Sequence, residues 1–232
     1  MDVFGSLQLN LHENPESLDS STLDRLVEVA QSAFGKEGQP TYDDVVEHIV
    51  PASTFVTAEV DDEIIGFSST DTLADTTYAV GLAVESDFQG NGIGKLARTF
   101  GVLEEMEEED TISTRTQNPA VLSYMQDLFN AYPRQDESTP GDVEASLENV
   151  ARALDPDAEF EDGVMRSAYP EAMYNEVPDH ELREFTGEVL DYENGDALIV
   201  AGEASRSEVE EAYSDLISDR DYEVTVSGGD FP

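Results

Sequence analysis

Glycine alternates with other residues from Gly90 to Gly94, directly after an apolar run that is typical of a strand and directly before a pattern that is typical of a helix. Glycine allows a backbone to turn sharply and to approach a ligand closely. The amides that begin a helix carry partial positive charge and therefore bind anions. Lys95 is one of two lysines in the chain, and Arg98 follows it as a second cation. These residue types at this spacing predict a site that holds phosphate groups.

Several kinds of site could account for this pattern. A Walker loop is excluded, because Gln89 stands in place of its first glycine and Leu96 in place of its hydroxyl residue. The dinucleotide fingerprint G-x-G-x-x-A fits residues 92–97, but a hairpin precedes it and the next strand, TISTRT, ends without the expected acid. A nicotinamide-dependent oxidoreductase therefore stays a disfavoured alternative. A tight turn without a ligand is another alternative.

A third loop, Q/R-x-x-G-x-G/A, is matched by residues 89–94, which read Gln-Gly-Asn-Gly-Ile-Gly. Together with the order of elements between Leu23 and Phe129, this loop resembles the acyl-CoA site of the GNAT superfamily of N-acetyltransferases. The resemblance implies an α/β fold of the α+β type, the acyl-CoA N-acyltransferase fold. Its central sheet would be mixed and mostly antiparallel, flanked by helices and followed by a C-terminal α/β extension.

The resemblance also implies acetyl-CoA as the co-substrate. Main-chain amides of the loop would hold the diphosphate, the strand before the loop would hold the thioester arm, and Asn118 would contact the same arm. The implied cofactor-binding residues are Leu82, Ala83, Val84, Gln89, Gly90, Asn91, Gly92, Ile93, Gly94, Lys95 and Asn118. Asn118 also fits the N-cap of the helix that Pro119 begins, and the two roles are compatible.

The implied reaction is direct attack of a primary amine, on a small molecule or a protein, on the thioester carbon. Glu85 is the candidate base, although it also fits an ordinary solvated acid. Tyr124 is the candidate proton donor for the thiolate, although Met125 holds the position that the family usually gives to this tyrosine. Tyr124 also fits the apolar face of its helix. A non-catalytic acyl-CoA-binding or regulatory module is therefore the main alternative function.

The elements around the loop follow from the apolar periodicity. We expect helices from about Ser21 and from Thr41 to Pro51, a hairpin around Asp61–Glu63, and a strand before the loop. Farther along, we expect a helix over 143–154, a hairpin of GEVL and ALIVAG, a helix over 209–217 and a last strand, YEVTVS. Residues 1–133 would form the GNAT-like core, and residues 134–232 a helical insertion with a strand-strand-helix-strand segment.

The composition limits the partners and the compartment. Acidic residues outnumber basic residues 53 to 11, for a net charge of -42, so no basic surface exists for nucleic acid. Charge spread along the whole chain predicts a salt-adapted, halophilic, cytoplasmic protein, since salt screens self-repulsion. The absence of cysteine excludes disulfides, and no histidine spacing indicates a metal site. We expect no signal peptide and no membrane span, and a homodimer is compatible with the sequence.

Overall fold

The computed structural model describes residues 5–12, 18–36, 42–43, 45–46 and 51–228. Contacts divide the chain into two units. Unit 1 comprises Met1–Asp71, Ala79–Met106 and Ser207–Pro232, and unit 2 comprises Thr72–Tyr78 and Glu107–Arg206. This division groups residues by contact, whereas the expected boundary at residue 133 separates a functional core from an extension. That boundary stays a prediction.

The first and the last of the described strands both belong to unit 1. Strand β1 (Ser6–His12) lies between β2 (Thr54–Val60), to which it is antiparallel, and the last strand, β9 (Glu223–Ser227), to which it is parallel. Strand β2 also pairs antiparallel with β3 (Glu63–Leu73), so the predicted hairpin is confirmed. The strand before the glycines, β4 (Thr76–Val84), is confirmed as well. Strand β1 was not among the predicted elements.

Three of the helices whose bounds the structure describes belong mainly to unit 1. Helix α1 (Ser20–Phe34) begins after Asp19, whose carboxylate accepts the amide of Thr22. Its buried face packs with Phe55 of β2 and Phe67 of β3. Helix α2 (Ile93–Glu105) packs on β2, and helix α6 (Arg206–Ser218) stacks one of its aromatic rings on α2. Helices α1 and α2 both pack on strand β2.

Unit 2 is arranged around strand β8 (Ala197–Ser205). This strand pairs antiparallel with β5 (Glu109–Thr116) on one side and with β7 (Val164–Met165) on the other. Strand β7 in turn pairs antiparallel with β6 (Phe160–Glu161). Helices α3 (Pro119–Phe129) and α4 (Gly141–Leu154) pack on β8, and a short helix, α5 (Arg183–Val189), follows β7 along the chain. The predicted helices after Asn118 and over 143–154 are confirmed.

One predicted element is wrong in part, and another lies largely outside the described residues. The predicted hairpin of GEVL and ALIVAG is wrong in its first strand, because residues 187–190 end helix α5, where the Leu190 amide donates to the Thr186 carbonyl. Gly195, with a φ of 76°, instead turns a loop between α5 and β8. The helix expected from Thr41 to Pro51 lies largely outside the described residues, although Tyr42 and Asp43 are helical.

The described elements confirm the predicted fold class. The β-structure is mixed and mostly antiparallel, with one parallel pair among the strand pairs given above, and helices flank it. In the ranges that the structure describes, every helix is too short or too polar to cross a membrane.

Candidate functional site

The glycine loop, residues 89–95, joins β4 to α2 within unit 1. A single 3-10 turn follows β4, and two side chains then fix the path of the backbone. The side-chain amide of Gln89 donates to the Val84 carbonyl at 2.9 Å, and that of Asn91 donates to the Phe88 carbonyl at 3.0 Å. The loop is therefore held to the end of β4 by its own polar residues, which leaves its glycines available for other contacts.

Different structural constraints favour glycine at the three glycine positions of the loop. Gly90 and Gly92 both have a φ of 79°, in the left-handed region that side chains disfavour. A Cβ on Gly90 would meet nothing within 4 Å, so this position is open to a ligand. A Cβ on Gly94 would lie 3.4 Å from the Leu82 side chain, so Gly94 brings the first turn of α2 against β4.

The start of α2 presents main-chain donors. Gly92 is the N-cap, and the first helical bond runs from the Leu96 amide to the Gly92 carbonyl at 3.1 Å. The amides of residues 92–95 therefore have no acceptor inside the helix. Among the described residues no side chain caps this end. Such a cluster of donors at the positive end of a helix suits a phosphate group.

The two cations expected at the loop differ in exposure. Lys95 is exposed, as a mobile phosphate ligand would need to be. Arg98 is only 3 % exposed, so the expectation that it adds a second mobile cation is wrong. Every residue of α2 from Leu96 to Leu103 is buried, so Arg98 lies in the part of the helix that is covered on all sides.

A different arginine lies at the loop, and sequence reasoning missed it. Nη1 of Arg220 donates to the Asn91 carbonyl at 3.3 Å, and the Tyr222 hydroxyl donates to the same carbonyl at 2.9 Å. A Cβ on Gly92 would collide with the Arg220 guanidinium, which shows how closely the two residues approach. Both donors follow helix α6 along the chain, and no local pattern connects them with the glycines.

Glu85, the candidate base, forms an ion pair. Its Oε1 lies 2.8 Å from Nη2 of Arg25 on helix α1, and its side chain is 19 % exposed. Nη2 of Arg25 also lies 3.2 Å from Oε1 of Glu63. Glu85 is therefore not an ordinary solvated acid, which was the alternative reading of this residue. Its role as a base stays a prediction.

Asn118 and Tyr124 belong to unit 2, at helix α3. Asn118 is the N-cap, since its Oδ1 accepts the Ala120 amide at 2.9 Å, and its Nδ2 donates to the Tyr174 hydroxyl at 3.1 Å. Tyr124 is 3 % exposed and its ring meets Phe129 edge-on, with 5.6 Å between centroids. The N-cap role of Asn118 is thus observed. The roles of both residues toward acetyl-CoA stay predictions.

Unit 2 also contains a buried polar network that the sequence did not indicate. The side-chain amide of Gln117 donates to the Asp196 carbonyl at 2.8 Å, and its oxygen accepts the Met173 amide at 2.7 Å. The Arg115 guanidinium lies 4.3 Å above the Tyr169 ring and donates to the Ala168 carbonyl. The network fastens residues 168–174 to the end of β5.

The comparison with family models gives one match. The acetyltransferase (GNAT) family matches residues 23–126, a little under half of the 232 residues. The matched segment includes β4, the glycine loop, α2 and most of α3. No curated protein matches the sequence at a significant level.

Solved structures of low identity resemble the chain. The ribosomal-protein-S18-alanine N-acetyltransferase from Escherichia coli has 14 % identity and a TM-score of 0.46, covering 85 % of this chain and 94 % of its own. PH1933 from Pyrococcus horikoshii OT3 has 21 % identity and a TM-score of 0.42, covering 55 % and 92 %.

A third structure is the PaiA N-acetyltransferase from Thermoplasma acidophilum in complex with coenzyme A. It has 17 % identity and a TM-score of 0.37, covering 57 % of this chain and 93 % of its own. At these TM-scores none of the three carries an argument about this protein. The family match, together with mostly antiparallel strands flanked by helices, confirms the predicted acyl-CoA N-acyltransferase fold, and residues 23–126 are similar to the GNAT family.

Proposed function

We propose that this protein is an acyltransferase that moves an acetyl group from acetyl-CoA to a primary amine of a small molecule or a protein. One observation carries the proposal: the glycine loop presents the amides of residues 92–95 without helical acceptors, inside the segment that matches the acetyltransferase family. A diphosphate is the ligand that such donors bind well.

The chain would supply binding and polarisation rather than a covalent intermediate. The loop holds the diphosphate, and main-chain amides at Leu82 and Val84 hold the arm and polarise the thioester carbonyl. The amine nitrogen attacks the carbonyl carbon, so a C–N bond forms and the C–S bond breaks. The amine loses a proton to a base, and the thiolate gains a proton from a donor such as Tyr124. Holding both reactants together supplies much of the rate.

Glu85 is the base in this proposal, acting directly or through a water molecule. Glu85→Gln should lower kcat about tenfold, below the usual 10²-fold of a general base because Arg25 already engages the carboxylate. Glu63→Gln is the matched control, since it removes a carboxylate from the same guanidinium but not from the end of β4. The measurement is kcat for CoA release with a reactive amine. Equal effects of the two changes would show that only the ion pair matters.

The second candidate function is a non-catalytic acyl-CoA-binding module. The burial of Tyr124 and the ion pair of Glu85 favour it, because both proposed proton carriers are engaged in packing or pairing. The two candidates share the glycine loop and differ only in turnover. They are therefore separated by measuring binding and reaction in the same samples.

The test of the proposed function is a thermal unfolding series with acetyl-CoA, CoA and NADH, followed by CoA release with a panel of amines. Several KCl concentrations are needed, since the net charge of -42 is screened only by salt. At a hundred times its Kd, a ligand stabilises the native state by about 2.7 kcal/mol, so a rise in Tm with acetyl-CoA and CoA is expected. Stabilisation without turnover on any amine would favour the binding module. Stabilisation by NADH alone would overturn the proposal.

A further inference from the structure

The Arg220 side chain reaches the glycine loop from the segment that follows helix α6. Nε donates to the Leu216 carbonyl at 3.0 Å, which fixes the side chain to the end of its own helix. Nη1 donates to the Asn91 carbonyl, and the guanidinium lies where a Cβ of Gly92 would be. The cation is thus positioned at the N-cap of α2, beside the amides that the proposed function assigns to the diphosphate.

From this position we propose that Arg220 is a diphosphate ligand contributed by the C-terminal segment, an inference that rests on the proposed function. A guanidinium has five N–H donors in a planar fork that matches phosphate oxygens. Two of the three nitrogens of Arg220 donate to main-chain carbonyls, which leaves N–H groups for a ligand.

The charges around Arg220 favour this assignment. The protein contains 53 acidic residues, yet among the described residues no carboxylate forms an ion pair with Arg220. Asp219 and Asp221 are its sequence neighbours, so the absence of a pair reflects the direction of the side chain and not a shortage of acids. A positively charged group without an acidic partner, next to helix N-terminal donors, attracts an anion.

Tyr222 has a different task at the same carbonyl. Burial raises the pKa of Tyr222, while the positive charge of Arg220 acts in the opposite direction. The hydroxyl therefore stays protonated at neutral pH and donates to the Asn91 carbonyl. Tyr222 thus holds the loop in place without offering a charge, which makes it the natural control for Arg220.

The test compares Arg220→Gln, Arg220→Lys and Tyr222→Phe by isothermal titration with CoA. Arg220→Gln should raise Kd about tenfold, as expected for a lost hydrogen bond to a charged group, and should flatten the dependence of log Kd on log salt concentration. Arg220→Lys should keep the salt dependence but lose part of the affinity, because the fork is gone. Tyr222→Phe should change Kd less than about threefold, since it removes one neutral hydrogen bond.

The outcomes separate this inference from the proposed function. If the wild-type protein binds CoA and Arg220→Gln binds it equally well, the inference is overturned and the proposed function stands. If Arg220→Gln and Tyr222→Phe weaken binding equally with an unchanged salt dependence, both residues only fasten the loop, which also overturns it. If the wild-type protein does not bind CoA, both fail together. Thermal unfolding of each variant shows whether it is folded. If Arg220→Gln is unfolded, the comparison of Arg220→Lys with the wild-type protein replaces it.

Discussion

Gly90→Asp should weaken the binding of CoA about 50-fold relative to Gly90→Asn. The two side chains have nearly the same shape and are the residues that best tolerate the left-handed backbone found here, where φ is 79°. The position is open, since a Cβ would meet nothing within 4 Å. The comparison therefore isolates one negative charge. A unit charge about 7 Å from a phosphate costs about 2.4 kcal/mol at an effective dielectric constant of 20.

The measurement is Kd for CoA by isothermal titration at low and high salt. At about 1 M salt the Debye length is roughly 3 Å, so the difference in Kd between the Asp and Asn variants should become much smaller. The difference in Kd between Gly90→Asn and the wild-type protein measures only the effects of backbone strain and of the space that the side chain fills. Equal affinities of the Asp and Asn variants at low salt would mean that no phosphate lies near residue 90, and the proposed function would lose its main support.

The glycine loop could be predicted because its chemistry is local. Gln89, Gly90 and Gly92 lie within four consecutive positions, and the strand before them and the helix after them each have a clear period in the sequence. The N-cap of α3 at Asn118 could be predicted for the same reason, since asparagine followed by proline is a local signal. In both cases the residues that determine the geometry lie within a few positions of one another.

The contacts of the loop with the C-terminal segment could not be predicted. Arg220 and Asn91 are 129 positions apart, and Tyr222 and Asn91 are 131 positions apart. Strand β9 lies beside β1, and β1 pairs with β2 on its other side, so the pairing of strands brings the residues that precede β9 into the unit that contains the loop. No periodicity in one segment reports such a pairing.

The sequence prediction missed one strand and assigned one segment to the wrong kind of element. Strand β1 was missed although Leu7 and Leu9 are fully buried and alternate with polar residues, the period of a strand. The segment GEVL was read as the first strand of a hairpin because a turn sequence, Asn194-Gly195, separates it from ALIVAG. Its environment decides otherwise, since the hydroxyl of Tyr192, after the helix, donates to Oγ1 of Thr186 within α5. Short apolar runs do not distinguish strand from helix.

Asp196→Ala should lower the free energy of unfolding by about 3 kcal/mol, which is at the low end of the range for breaking a buried ion pair. The low end is expected because the Arg166 side chain is 38 % exposed and can be hydrated once its partner is removed. Asp196 itself is 1 % exposed. Its carboxylate accepts hydrogen bonds from the Arg166 guanidinium, the amides of Ser167 and Asp191 and the side chain of Asn194. Removing the carboxylate takes this acceptor from the amides of Ser167 and Asp191, whereas Nη1 of Arg166 keeps the Val189 carbonyl and Nδ2 of Asn194 keeps the Ser167 hydroxyl.

Glu193→Ala is the matched control, since it removes the same charge from an exposed position three residues away. It should change the free energy of unfolding by less than about 0.5 kcal/mol. Urea unfolding of both variants and the wild-type protein at neutral pH gives the comparison. If Asp196→Ala lowered the free energy of unfolding no more than Glu193→Ala, the hydrogen bonds of the carboxylate would contribute nothing to stability.

The same residue predicts a dependence on pH. Burial raises the pKa of Asp196, but the hydrogen bonds from Arg166, Asn194, Ser167 and Asp191 lower it by more, so the pKa lies below its ordinary value. A carboxylate whose pKa is lower in the folded state stabilises the fold above its unfolded pKa of about 3.9, and this contribution is lost as the pH falls through the folded value. The difference in free energy of unfolding between the wild-type protein and Asp196→Ala should therefore be full at pH 7 and shrink below about pH 4. A difference that stayed constant with pH would show that the packing of Asp196, and not its charge, stabilises the fold.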